Sequence, residues 1–189
     1  NMGAKDVAGL YVTSENYDDI KIINLIGQQS PEINKGVKQE NGVIGAGDQG
    51  FMVGYANNET PSYLPLGVYL SKTICQCFSD TFSGIGPDVK TQVTVDYSTG
   101  EAELKHILVS TMHNKKSWPI NILRNFIEKS IKTNMISINH DIYEKYILNN
   151  DNLVIDVNPC GTWEIGGPVS DCGVTGRKIV VDQFGGYAN

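Results

Sequence analysis

The stretch TQVTVDYSTGEAELKHILVSTMH, residues 91–113, decides the fold. Its first seven residues alternate strictly. Val93 and Val95 fall on one face, Thr94 and Asp96 on the other. A period of two is that of a half-buried strand. STGE then supplies turn chemistry, and AELKHILVSTMH returns as a second strand. The stretch therefore predicts a β-hairpin with a polar tip.

Helical spacing flanks the hairpin on both sides. Upstream, Pro61 and Pro65 lead into a predicted helix over Leu66–Phe78, with Val68, Leu70, Ile74, Cys77 and Phe78 on its buried face. SGIGPDV, residues 83–89, reads as a flexible loop between helix and strand. Downstream, Pro119 sits near N1 of a helix capped by Ser117, and Ile120, Leu123, Phe126, Ile127 and Ile131 recur along it. A shorter helix over Asp141–Leu148, a strand at NLVIDVN, a long loop at GTWEIGGPVSDCGVTG and a last strand at RKIVVDQ follow. Toward the N-terminus, Val7–Thr13 reads as a strand, Asp18–Leu25 as helical and Gln28–Gly47 as loop. The apolar residues Phe51, Met52, Val53 and Tyr55 come next. There is no βαβ rhythm. The expectation is an α+β fold, with helices on one face of an antiparallel or mixed sheet.

Composition narrows the function classes. The chain has 189 residues, 40% of them hydrophobic, enough for a real core. Fifteen basic against 21 acidic side chains give a net charge of −6, which argues against bulk nucleic-acid binding. Cys75, Cys77, Cys160 and Cys172 form no C-x-x-C pair, and His106, His113 and His140 are scattered, so no zinc site is expected. Few, irregularly spaced cysteines fit a reducing, cytoplasmic setting. No apolar run approaches a membrane span, and no membrane partner is expected. Position 1 is not methionine, and both ends read as cut.

Three glycine-rich segments carry the charge that chemistry would use. They are Gly45–Gly50 with Asp48, Gly84–Lys90 with Asp88 and Lys90, and Gly161–Lys178 with Asp171, Arg177 and Lys178. Glycine lets backbone N–H groups approach a ligand, and Lys or Arg neutralises phosphate oxygens. A polyphosphate or nucleotide site is the joint reading. Each piece alone also has an ordinary structural reading. Asp48 can cap a turn, Lys90 can be a solvated strand-end lysine, and Asp171 can shape an Asx-turn. Trp163 can be a core aromatic and His113 a surface or capping residue. Cys75 and Cys77 read as packing residues. Arg177 and Lys178 can be a surface pair, since neighbours on a strand point to opposite faces. GAGDQG is not set between a strand and a helix, so a dinucleotide-binding reading fails on context.

Together, GQQSPEINKGV, GAGDQGFMVGYANNET, GPDVKTQVTVDY and NPCGTWEIGGPVSDCGVTGRKIVVDQFGG, in this order, resemble the S-adenosylmethionine synthetase (methionine adenosyltransferase) family. The resemblance runs from about Gly27 onward and looks like a partial or shortened chain. It implies pseudo-threefold α+β domains built from discontinuous segments. Residues 1–48 would be a partial domain segment with a gating loop, and 49–157 an α+β domain. Residues 158–189 would be a substrate-binding loop and the start of a further segment. It implies ATP and methionine as substrates, Mg²⁺ and K⁺ as cofactors, and a homodimer or higher homo-oligomer. Lys90, Arg177 and Lys178 match the catalytic, phosphate-handling positions. Gln29 matches a methionine contact, Ile33 the gating loop, and Gly47 and Asp48 the adenosine-binding end of GAGDQG. Asp88 matches the P-D-x-K aspartate, Trp163 the aromatic that stacks on adenine, and Asp171 an aspartate near the methionine amino group. No metal ligand is carried over. A non-catalytic partner subunit that binds nucleotide without transfer is the alternative.

The departures are specific. Gly86 stands where the family pattern has arginine, Thr162-Trp163-Glu164 replaces R-F-x, and Cys160 replaces a small hydroxyl residue. Leu10 and Tyr11 occupy the place of a methionine-binding glutamate. The H-P-D-K segment and the lysine-bearing G-G-G-A-F-S-G-K-D segment are not in the sequence.

Overall fold

The computed structural model describes residues 23–38, 42–80, 84–167, 170–171 and 173–188. The predicted strand Val7–Thr13 and most of the predicted helix Asp18–Leu25 lie outside the described residues, and residues 23–25 of the latter are not helical.

The hairpin forms as its alternation requires. Strand β1 (Ile85–Asp96) pairs antiparallel with β2 (Glu103–His113). Gly100, at φ 89°, closes the turn and donates its N–H to the Tyr97 carbonyl at 3.0 Å. Strand β3 (Val154–Val157) lies on the far side of β2 and runs parallel to it, so the sheet is mixed, in the order β1-β2-β3. Register stacks Val93, Ile107 and Ile155 in one row and Thr91, Val109 and Val157 in the next, on one face.

Two helices cover that face. Helix α2 (Leu66–Asp80) lies over β1, where the Thr91 hydroxyl donates to the Ser71 carbonyl at 2.8 Å. Its Leu66, Leu70, Ile74 and Phe78 recur every fourth residue and are fully buried. Helix α3 (Ile120–Lys132) buries Leu123, Ile127 and Ile131. Arg124 ties it to the end of β3, donating from Nε to the Val157 carbonyl at 2.9 Å and from Nη2 to the Asn158 carbonyl at 2.7 Å. A short helix α4 (His140–Tyr143), capped by Asn139, runs on into a π-helical turn, Glu144–Leu148, that buries Tyr146 and Ile147. These elements share one core. The opposite sheet face, with Lys90, Gln92 and Thr94 across from Ser110, Leu108 and His106, stays open.

Four local expectations are corrected. The segment Gln28–Gly47 contains helix α1 (Pro31–Val37), which starts because Ser30 accepts the Ile33 N–H at 3.3 Å and Pro31 sits in the first turn. Most of the loop predicted at residues 83–89 is already strand, since β1 begins at Ile85 with a register shift before Val89. Ser117 does not cap α3. Asn114 takes the turn instead, its Oδ1 accepting the Lys116 and Ser117 N–H groups at 2.9 and 3.3 Å. RKIVVDQ is not a strand. Among the described residues nothing pairs with it, and it closes its own hydrogen bonds as helix α5 (Ile179–Asp182).

Two contacts place the site. Gly86 lies against fully buried Met112, and a Cβ there would run into the Met112 side chain. An arginine has no room at this position beside that methionine. Asn158 is buried just past β3 at φ 44°. It accepts the Thr111 N–H at 2.8 Å and donates to the Thr111 carbonyl at 2.9 Å.

Asn158→Ala should therefore cost about 2–4 kcal/mol, because two buried peptide groups lose partners and alanine is strained at positive φ. Asn158→Gly should cost less, since only the bonds are lost. Urea midpoints decide; a loss under about 0.5 kcal/mol for alanine contradicts the assignment. Gly86→Ala should cost about 1–3 kcal/mol through overpacking. Combined with Met112→Ala, its added cost should largely vanish, a non-additivity read from the same double-mutant cycle.

Candidate active site

The sequence-marked residues gather in two places, with a third segment tethered to one of them. The first is the end of the sheet where β1 begins. There the loop after β3 doubles back across the β1–β2 pair and is anchored at successive residues. The Trp163 carbonyl accepts the His113 N–H at 2.8 Å. Glu164 accepts the Lys115 N–H at 3.3 Å and pairs with its ammonium at 2.9 Å. The Gly167 N–H donates to Asp88 Oδ2 at 2.7 Å. Gly166 makes that last contact possible, because a Cβ there would stand 3.0 Å from Asp88 Oδ2 and 2.9 Å from Met112 Sδ.

Lys90 and Trp163 meet in this place. The Lys90 ammonium sits over the indole, 5.3 Å from the ring centroid. The indole N–H is itself satisfied by the Ile165 carbonyl at 2.6 Å. Trp163 is half-buried rather than a core residue, and Lys90 is exposed. The Lys115 ammonium, hydrogen-bonded to Glu164, holds the Glu164 carboxyl below the ordinary glutamate range.

His113 corrects its sequence reading. It is buried, only 1% exposed, on the helix-covered side, where Nδ1 donates to the Thr111 carbonyl at 3.1 Å. Among the described residues its Nε2 has no hydrogen-bond partner. Met112, Lys115, Glu164 and Asn158 are parts of the arrangement that sequence reasoning missed. Met112 leaves no signal except the two small residues it packs against. Glu164 and Lys115 carry charge but are 49 residues apart.

The second place joins Gln29 to the GAGDQG loop. A Cβ on Gly47 would stand 2.5 Å from Gln29 Nε2, so glycine lets that amide lie against the loop. Lys38 bridges Ile44, and Gly45 donates to the Val37 carbonyl at 2.8 Å, which folds the loop back onto the end of α1. Ile33 is exposed on α1. Asp48 is exposed and accepts the Gln49 N–H at 2.7 Å, which is its ordinary turn role.

The remaining segment stays open. Asp171 donates its backbone N–H to the Gly167 carbonyl at 3.0 Å, next to the Asp88 anchor. Arg177 follows a turn, donating its N–H to the Val174 carbonyl at 3.1 Å, and Lys178 precedes α5. Both are exposed, and neither side chain has a hydrogen bond or ion pair among the described residues. The strand objection to their sharing a ligand falls away, because they are not on a strand. A groove of about 570 Å³ lies elsewhere, lined by Gly67, Ser71, Thr94, Val181 and Tyr187, and none of the sequence-marked residues lines it. Among the described residues no group of three or more His, Cys, Asp or Glu is placed to hold a metal ion. No helix among them is long and apolar enough to cross a membrane.

Comparison with known proteins bears on the whole arrangement. Residues 43–163 match the family described as S-adenosylmethionine synthetase, central domain, and residues 165–189 match its C-terminal domain. The S-adenosylmethionine synthase of Helicobacter hepaticus is 40% identical over 177 residues, covering 90% of this chain and 44% of the relative. That of Helicobacter pylori strain J99 is 36% identical over 178 residues, again 44% of the relative. The chain thus spans less than half the length of these curated relatives. The solved structure of an unusual S-adenosylmethionine synthetase from Campylobacter jejuni superposes with a TM-score of 0.61 at 30% identity, over 75% of this chain and 38% of that one. The mixed sheet with helices on one face is the fold of that structure, and the chain belongs to the S-adenosylmethionine synthetase family.

Proposed function

We propose that this chain supplies the adenosine side and part of the triphosphate side of a methionine adenosyltransferase site. The observation that carries the reading is the meeting of Lys90, Trp163 and the Asp88-held Gly166–Gly167 loop at one end of the open sheet face. A ring to stack on, a cation and a backbone loop without side chains are what a nucleotide needs. In the reaction, the methionine sulfur attacks C5′ of ATP. The C5′–oxygen bond breaks, and triphosphate leaves with the electron pair. Water then cleaves the triphosphate to pyrophosphate and phosphate. No general base is needed for the first step.

The difficulty is a poor leaving group on a primary carbon. Catalysis then rests on alignment and on neutralising charge that grows on the bridging oxygen. Lys90, Arg177 and Lys178 are the catalytic cations of this reading, and Arg177 can grip phosphate through two parallel hydrogen bonds. Gln29 and Asp171 are assigned to methionine, Gly47 and Asp48 to adenosine, and Ile33 to the gate. Asp88 acts through the Gly167 N–H it holds, as a positioning residue. Mg²⁺ and K⁺ belong to the reading through the family alone; among the described residues no group of three or more His, Cys, Asp or Glu is placed to hold either ion. Residues 1–48, 49–157 and 158–189 are the corresponding segments. Association with further copies, through the open sheet face, and a cytoplasmic location complete the proposal.

Product formation from ATP and methionine, with Mg²⁺ and K⁺ supplied, tests it. Lys90→Ala and Arg177→Ala should each lower turnover by about 10²–10³-fold. Stability should move by less than about 0.5 kcal/mol, because both side chains are exposed. Unchanged turnover in both variants removes the phosphate assignment. ATP binding without product points to the partner-subunit alternative. The loop anchor has its own readout. Glu164 is depressed in the fold, so its contribution is present above an ordinary glutamate pKa and is lost as pH falls through its folded value. Carboxyl NMR titration should place Glu164 below an ordinary glutamate, and Lys115→Ala should return it upward; no movement in that variant removes the ion pair as the cause.

A further inference from the structure

Trp163 is held as a fixed plate. Its carbonyl takes the His113 N–H at 2.8 Å, its ring N–H is bound to the Ile165 carbonyl at 2.6 Å, and the next residue is pinned to Lys115. Its face already carries a ligand-like group, the Lys90 ammonium, 5.3 Å from the ring centroid. Among the described residues no carboxylate pairs with that ammonium. A cation parked on a ring at an exposed site is weakly held, worth roughly two- to five-fold in an equilibrium constant. A phosphate oxygen attracts it more strongly, through a charge-assisted hydrogen bond.

We propose that Trp163 and Lys90 form a self-capped stacking subsite for a planar heteroaromatic ring that carries a polyphosphate. Lys90 covers the indole when no ligand is present. The incoming ring takes its place, and the released ammonium swings to the phosphates. The inference rests on the nucleotide reading above and adds to it a coupling between the two halves of the ligand. A ring without phosphate must displace Lys90 unaided. A phosphate without a ring must pull Lys90 off the indole. Each half therefore assists the other, and by linkage the assistance is equal in both directions.

The exchange makes predictions of opposite sign, which a static arrangement does not. Calorimetric titrations of the full chain use adenosine and inorganic tripolyphosphate as separate probes. Lys90→Ala should tighten adenosine by about two- to five-fold while weakening tripolyphosphate. Trp163→Leu should weaken adenosine while tightening tripolyphosphate by a similar factor, because Lys90 is freed. Trp163→Phe, which keeps a ring with a weaker quadrupole, should fall between. In the unmutated chain, saturating tripolyphosphate should tighten adenosine by about the same factor, and both substitutions should abolish that gain. Circular dichroism confirms that each variant is folded, and Trp163→Phe gives the test if the leucine variant is not. If the unmutated chain binds both probes, but Lys90→Ala leaves adenosine unchanged and neither Trp163 variant alters tripolyphosphate, the exchange is overturned and the nucleotide reading stands. If the folded, unmutated chain binds neither probe, the nucleotide reading falls and the exchange falls with it.

Discussion

The side chain of Asn158 holds the site to the sheet. Strand β3 is only four residues long and runs parallel to β2, a pairing slightly less stable per residue than an antiparallel one. At its end, Asn158 bonds both peptide groups of Thr111, donates its own N–H to the Val109 carbonyl at 2.9 Å and receives Arg124 on its carbonyl. These are buried polar bonds, where an unmet partner costs more than a met one gains. The same residue turns the chain at φ 44°, a conformation asparagine tolerates better than most residues. The loop that leaves it crosses the sheet end and reaches His113, Lys115 and Asp88 in turn. Without that turn, Trp163 would have no fixed position relative to Lys90.

How much of this could be read from the sequence depended on periodicity. The hairpin and helices α2 and α3 each bury one face, and their apolar spacing is determined by that burial. Leu70, Ile74 and Phe78 on one helix, and Leu123, Ile127 and Ile131 on the other, are residues that the pattern marks and the fold buries; Val68, Cys77, Ile120 and Phe126, also marked, are only half-buried, and buried Leu66 went unmarked. RKIVVDQ carried a misleading signal. Its β-branched residues suit a strand, but the segment closes its own hydrogen bonds as α5 and pairs with no described strand. Helix α1 was hidden for the opposite reason, since it has no buried residue and so no apolar period. The parallel placement of β3 depends on where the helices between β2 and β3 carry the chain, which no local pattern records.

The candidate site was legible as a set of residues and not as an arrangement. Motif resemblance named Asp88, Lys90 and Trp163 from segments some seventy residues apart, and the fold brings them within reach of one another. It also named Gln29 and Gly47, whose contact the missing Cβ allows. The ordinary reading of His113 was reversed by burial. In the sequence, Gly86 reads as a departure from the family pattern, which has arginine there. Packing gives it a second meaning, because Met112 fills the space beside the Gly86 backbone and also lies under Gly166. A buried methionine leaves no periodic mark outside its own strand, so this pairing could not be seen from spacing.

Charge determines how such a site can work in this chain. With a net charge of −6, the molecule as a whole repels a polyphosphate, so on the proposed reading attraction would have to come from a few cations held near the loop. Those cations differ in how they are held. Lys115 is committed to Glu164 in a hydrogen-bonded pair that also anchors the loop. Lys90 rests on an aromatic face, a partner given up more easily than the hydrogen-bonded carboxylate that holds Lys115. Arg177 and Lys178 stand exposed beyond Asp171, whose backbone is tied to Gly167. The cation closest to the indole is thus among the least committed, while the one that fixes the loop is paired with Glu164. A site that must be rigid in its backbone and free in its charge needs that division.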